Sequence, residues 1–182
     1  SGASSHELLV TYPRLSAHDT AFGSFTLHSY IFATNFYKRL QTDAWKRTGV
    51  IILNHDVASE KRQLSLLEKR ADGEIYRFVD PVEASEISGI DIKFNGLIYE
   101  DAGYILPEEM CKFLIESPKI NVFTSSCIKN ITKNRETVNL NIGKQEFEYQ
   151  NVCLCTGSDT TEILDIEGIG IKRGQVTHIE SL

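Results

Sequence analysis

Long apolar runs are missing from this sequence. Gly49-Val50-Ile51-Ile52-Leu53 is typical of what there is, far short of the roughly 20 apolar residues a membrane-spanning helix needs. A basic segment leading into an apolar stretch is also missing, so no secretory signal is expected. Ser1-Gly2-Ala3-Ser4-Ser5 reads as an expression scar or as the middle of a loop. Cysteine is scarce, at positions 111, 127, 153 and 155. These lack the paired C-x-x-C spacing of a structural zinc site and do not resemble a secreted disulfide framework. A reducing cytoplasm is the expected compartment. Cys153 and Cys155 lie in Asn151-Val152-Cys153-Leu154-Cys155, which reads as a buried strand with both thiols on one face, inert in the core. Positive charge is short too. Nineteen Lys and Arg stand against 25 Asp and Glu, a net charge of -6, which disfavours a broad nucleic-acid surface. The densest basic stretch, from Lys61-Arg62 to Lys69-Arg70, is interleaved with Glu60 and Glu68 and reads as a solvated helix face.

The motifs that usually announce chemistry are absent as well. No G-x-G-x-x-G, P-loop, H-E-x-x-H or G-x-S-x-G occurs. Gly168-x-Gly170 with Gly174 has the wrong spacing for a phosphate loop, and follows Asp165-Ile166-Glu167 in what reads as a surface turn. Histidines 6, 18, 28, 55 and 178 show no metal-ligand spacing, so no metal is expected.

What is present is ordinary globular composition, 41% apolar and 24% charged over 182 residues, enough for one domain or for one and a part. Phe22, Phe25, Ile31, Phe32, Phe36 and Leu40 recur at mostly three- and four-residue steps, predicting a helix over 19–41 capped by Asp19, with its aromatics mostly in the core. A strand at 49–53 and an amphipathic helix at 59–70 follow. A short helix opens at Pro81, strands fall at 96–99 and 103–106, and a helix opens at Pro107. Short strands are then predicted at 121–124, 128–132, 138–142, 146–149 and 152–155, with a turn at Gly143-Lys144 and a last strand at 173–179. The pattern is α+β, without the regular alternation of a complete doubly wound domain.

Read this far, the chain is an α+β domain of unknown activity. A resemblance adds more. Gly2-Ala3-Ser4-Ser5 through Tyr12-Pro13-Arg14-Leu15 resembles the G-A-S-G-N-x-x-G-x-x-Y-P-x-L segment of the D-amino-acid oxidase-like FAD-dependent oxidoreductases, which passes close to the flavin ring. Ser16-Ala17-His18-Asp19, with the aromatic helix after it, is more narrowly similar to the oxidoreductase half of the bifunctional MnmC family. Gly49 to Leu53 is similar to that family's G-V-x-Q-L strand. Gly96-Leu97-Ile98-Tyr99 through Pro107 resembles G-x-x-Y-P-x-x-G-W-L-C-P, Val152 to Ser158 resembles V-V-L-A-N-G-H, and Gly174 to Ile179 resembles G-Q-V-S-H-I. The similarity spans nearly the whole chain in one order. Ser5 and His6-Glu7-Leu8-Leu9 depart from G-N-x-x-G, and Tyr104 stands where the family has Trp.

The resemblance implies an antiparallel-rich substrate-binding sheet with flanking helices, over about 44–118. It implies FAD-domain and connecting parts over 1–43 and 119–182, the whole being an internal fragment whose phosphate loop lies upstream. It implies FAD as cofactor, near Gly2, Ala3, Ser4, Ser5, Tyr12, Pro13, Ile128, Thr156 and Gly157. Tyr104 and Gln175 fall near the substrate. The activity implied is oxidation of the secondary amine in the carboxymethylaminomethyl side chain of wobble uridine in tRNA. Hydride passes to the flavin, and hydrolysis of the imine releases glyoxylate. A methyltransferase half, fused or separate, is the implied partner, and no residue stands out as a general base. Alternatives stay open. Ser4-Ser5 also reads as a loose chain start, Tyr104 as a half-buried strand aromatic rather than a lid, and Thr156-Gly157 as a plain turn. The whole also reads as a small-molecule glycine or D-amino-acid oxidase, or as a flavin-free remnant or interaction domain.

Overall fold

The computed structural model describes residues 5–16, 18, 20–69, 75–164, 166, 168 and 170. They fall into two compact units, Ser1–Ile120 and Asn121–Leu182.

The first unit holds two three-stranded antiparallel sheets. One has the order β1 (Leu9–Thr11), β6 (Gly103–Ile105), β2 (Trp45–Lys46), and the other β3 (Val50–Leu53), β5 (Gly96–Tyr99), β4 (Arg77–Val79). Strand β5 is buried along its whole length. Its alternating side chains divide between two clusters, as the two-residue strand period requires. Leu97 and Tyr99 pack with Tyr30, Leu66, Tyr76 and Ala102, while Ile98 packs with Val79 and Ala84.

Both sheets depend on a glycine at a close crossing. A Cβ on Gly103 would stand 1.9 Å from the Lys46 carbonyl oxygen, and one on Gly96 2.6 Å from that of Ile52. Both contacts are with backbone, so no side-chain rotation relieves them.

The helices end where local chemistry ends them. Helix α1 (Ala21–Arg39) starts at Thr20, whose Oγ1 accepts from the Gly23 N–H at 3.0 Å; Asp19 lies outside the described residues. Helix α2 (Val57–Lys69) lies beside β5. Its Gln63 donates Nε2–H to the Ile52 carbonyl at 2.7 Å. In α3 (Pro81–Ser88), Asp80 caps the N–H groups of Val82 and Glu83, Pro81 takes the first turn, and Gly89 closes the C-terminus at φ 74°. Helix α4 (Pro107–Ile115) again opens on proline.

In the second unit β7 (Ile128–Lys133), β8 (Val138–Ile142) and β9 (Gln145–Tyr149) form an antiparallel meander. Ile142 pairs with Gln145 across the predicted Gly143-Lys144 turn, where Gly143 has φ 63°. A 3-10 turn at Gly157–Asp159 leads into the short helix α5 (Thr160–Ile163).

Three sequence expectations fail. The α1 period is right, but the face is not. Phe22, Phe25 and Phe32 are 62%, 68% and 73% exposed, whereas Gly23, Tyr30 and Thr34 form the buried stripe. Periodicity identifies an apolar stripe without saying what covers it. Residues 121–124 are not a strand, because the chain turns at Thr124-Ser125, with Ser125 at φ 56°. Residues 152–155 pair with no strand among the described residues, and all four cysteines are exposed. Among the described residues no neighbouring strand covers that segment, and its thiols face solvent. The expected strand at 173–179 lies outside the described residues.

Candidate functional site

The segment Tyr12-Pro13-Arg14-Leu15 leaves β1 in a conformation that sequence alone foreshadows, since a residue before proline avoids the helical region. Two hydrogen bonds hold it. Thr11 Oγ1 donates to the Gly103 carbonyl at 3.1 Å, and Thr26 Oγ1 on α1 donates to the Arg14 carbonyl at 2.8 Å. Pro13 is buried, while Tyr12 and Arg14 are exposed.

Tyr12 and Arg14 line two cavities. One, of about 200 Å³, has Ile52, Gln63, Leu66, Leu97 and Tyr99 in its walls and Arg62 beside them. The other, of about 350 Å³, is walled by α1 through Phe25, Thr26, Ser29, Tyr30 and Thr34. Tyr30 and Tyr99 meet edge to face with centroids 6.5 Å apart, and Tyr76 lies 5.7 Å from Tyr99.

The polar atoms of this cluster are few and buried. Among the described residues Tyr30 Oη and Gln63 Oε1 are buried without a hydrogen-bond partner, and an unmade buried bond costs about 1–3 kcal/mol. Burial, reinforced by the nearby Asp101 carboxylate and opposed by Arg47, pushes the Tyr30 phenol up to about 12. Burial first, then Tyr76, Tyr30 and Tyr12, raises Tyr99 as well. Asp101 is held in turn by Lys38 and Arg47, each at 2.8 Å. The cluster is therefore uncharged at neutral pH, with guanidinium groups at its margin. Such a lining suits a planar, partly polar molecule, and contains no paired nucleophile and base. No group of three or more His, Cys, Asp or Glu among the described residues is placed to hold a metal.

Tyr30 carries a testable pH dependence. Its phenol ionises at an ordinary 10.0 when unfolded and about 12 when folded. The neutral form's contribution to stability is thus complete below pH 10 and lost as pH rises through 12. Urea midpoints measured across this range should fall more steeply for the parent chain than for Tyr30→Phe; equal slopes would show that the hydroxyl is not buried.

The other sequence-predicted residues are distributed as follows. Tyr104 is half-buried on β6, opposite Val10 and Lys46, and is not among the residues lining these two cavities. Ser5 is exposed. In the second unit Ile128 is half-buried opposite Ile142, next to a β-bulge. Thr156 Oγ1 lies 2.8 Å from Thr160 Oγ1. Gly157 has φ 58°, and a Cβ there would meet nothing within 4 Å. Gly2, Ala3, Ser4 and Gln175 lie outside the described residues. Sequence reasoning missed Tyr30, Gln63 and Tyr99 as cavity residues. The one available signal was a tyrosine ending the otherwise apolar Gly96-Leu97-Ile98 run.

Comparison with known proteins bears on what this arrangement belongs to. Over 185 aligned residues, covering 99% of this chain, it is 28% identical to the tRNA 5-methylaminomethyl-2-thiouridine biosynthesis bifunctional protein MnmC of Legionella pneumophila (strain Corby). The chain is similar to MnmC proteins along almost its whole length. MnmC of Shewanella amazonensis is 27% identical over 98% of this chain. The chain spans only 27–28% of the length of these MnmC proteins. No protein-family model matches it. Among solved structures, glycine oxidase from Bacillus cereus ATCC 14579 aligns at TM-score 0.61 and 15% identity, over 85% of this chain and 47% of that one. L-Proline dehydrogenase from P. horikoshii aligns at TM-score 0.60 and 17% identity, over 89% of this chain and 45% of that one. The fold is thus shared with about half of each oxidoreductase chain. No helix among the described residues is long and apolar enough to cross a membrane.

Proposed function

We propose that this chain is part of an FAD-dependent oxidoreductase that removes the carboxymethyl group from carboxymethylaminomethyl-(2-thio)uridine at the tRNA wobble position, leaving aminomethyl-uridine. The observation that carries the proposal is similarity to MnmC along almost the entire chain, joined to a fold shared with glycine oxidase.

The residues present fit the flavin end of such a cofactor. Tyr12 borders both cavities and Pro13 the smaller one, whose wall carries Leu15, Ile52, Leu66, Leu97 and Tyr99. The pyrophosphate end has no counterpart, because the sequence contains no G-x-G-x-x-G. That loop is proposed to come from another part of a longer polypeptide, in which about 44–118 serve the substrate and the remainder the cofactor. In this reading Ser5, Tyr12 and Pro13, with Gly2, Ala3 and Ser4, face the flavin, while Ile128, Thr156 and Gly157 approach the cofactor through backbone. Tyr104 and Gln175 stand near the amine. The bound flavin supplies the hydride acceptor. This chain's own part is orientation and exclusion of water, with uncharged Tyr30 and Tyr99 adding no charge beside a neutral amine.

The word bifunctional in the relatives' name supports a methyltransferase partner, and their tRNA role supports a cytoplasmic setting. A glycine-type amine oxidase is the rival, favoured by the fold match and by the net charge of -6. The full-length gene product should be incubated with tRNA bearing the modified uridine and the nucleosides examined by mass spectrometry. Conversion to aminomethyl-uridine with release of glyoxylate is expected. Unchanged tRNA, with peroxide produced from glycine, would transfer the case to the rival.

A further inference from the structure

We propose that Cys153 and Cys155 form a two-electron modification site, a dithiol that closes reversibly to an intramolecular disulfide. The inference goes beyond the flavin reading and does not rest on it.

The two sulfur atoms lie 3.6 Å apart with one residue between them, and both cysteines are exposed. The burial pattern over 152–155 alternates, with Val152 and Leu154 half-covered and the two thiols on the solvent side. The alternation places both thiols on the same, solvent-facing side, where their sulfurs meet. A disulfide needs its sulfurs at about 2.05 Å, so closure demands a movement of roughly 1.5 Å. The segment belongs to no sheet among the described residues, so no ladder hydrogen bond has to break. Both thiols are exposed, and Cys153 is taken as the attacking thiol.

The reaction balances with a hydroperoxide as oxidant. The Cys153 thiolate attacks the peroxide, breaking the O–O bond, forming a sulfenic acid and releasing an alcohol or water. Cys155 sulfur then displaces hydroxide, which leaves as water with the second proton. Two thiols lose two electrons and two protons, and a dithiol reductant reverses the step. A bridge spanning one residue is strained, and strained, exposed disulfides are the labile ones. The bridge would close immediately before Thr156-Gly157, tying a redox event to the conformation of that turn.

The test uses the whole chain, fully reduced and then treated with one equivalent of hydrogen peroxide. Titratable thiols should fall by two per monomer, with a mass lower by two hydrogens and one peptide containing both Cys153 and Cys155 cross-linked to each other. Cys111→Ser/Cys127→Ser should behave identically. Cys155→Ser should instead trap a sulfenic acid at Cys153 that dimedone labels. Oxidation shared evenly with Cys111 and Cys127, intermolecular dimers, or no loss of thiols would each overturn the proposal. Circular dichroism of each variant excludes misfolding as the cause.

Discussion

Gly103→Ala should destabilise the first unit by about 3 kcal/mol, the upper part of the range for overpacking a closed site. The added methyl would sit 1.9 Å from the Lys46 carbonyl oxygen and 3.0 Å from Arg47 Cα. Neither can rotate away, so strand β2 must shift. Strand β6 lies between β1 and β2, and Thr11 Oγ1 also bonds the Gly103 carbonyl, so the disturbance reaches the Tyr12 segment. Gly89→Ala provides the control. That glycine has positive φ, 74°, and a Cβ there meets nothing within 4 Å, so only the conformational penalty of about 1–2 kcal/mol applies. The single tryptophan, Trp45, lies in β2 itself, opposite Ile105, and its fluorescence reports on this crossing during urea unfolding. Equal losses in the two variants would contradict the described β2–β6 pairing.

Leu97→Ala should cost about 4 kcal/mol, toward the upper end for burying a cavity in a core that cannot collapse. Leu97 is 1% exposed at the centre of β5, with β3 and β4 paired on its two sides. Its neighbours Tyr30, Tyr76 and Tyr99 are rigid rings, which limits relaxation into the space left behind. Leu97→Met conserves volume and should lose less than about 1.5 kcal/mol. Leu97 also walls the smaller cavity beside Tyr12, so the alanine variant should enlarge it. Urea midpoints decide the first point, and a similar loss for methionine and alanine would mean that side-chain volume is not what Leu97 contributes.

Local chemistry made most elements of this fold legible before any coordinates. Pro81 and Pro107 opened helices where they were expected, Gly143-Lys144 turned the hairpin, and the 96–99 run became the most buried strand. What could not be read was pairing and coverage. Nothing in Gly96 to Ile105 says that its two strands enter different sheets, because register depends on distant partners. The phenylalanines of α1 follow a correct helical period yet face outward, and Val152 to Cys155 has strand composition without a strand beside it. Of the residues lining the two cavities, Tyr12 and Pro13 were singled out through resemblance. Tyr30 and Gln63 were not, since a buried phenol and a buried amide have no sequence signature apart from their position in the packed fold.

We propose that this chain serves a flavin-dependent oxidation of an amine carried on tRNA. The most direct test of this proposal is an anaerobic titration of the full-length gene product, loaded with FAD, with tRNA bearing the carboxymethylaminomethyl group while the visible flavin band is followed. Bleaching by that tRNA, and not by glycine or D-alanine, is the predicted result. Bleaching by the free amino acids alone, or a protein that takes up no FAD, would contradict it.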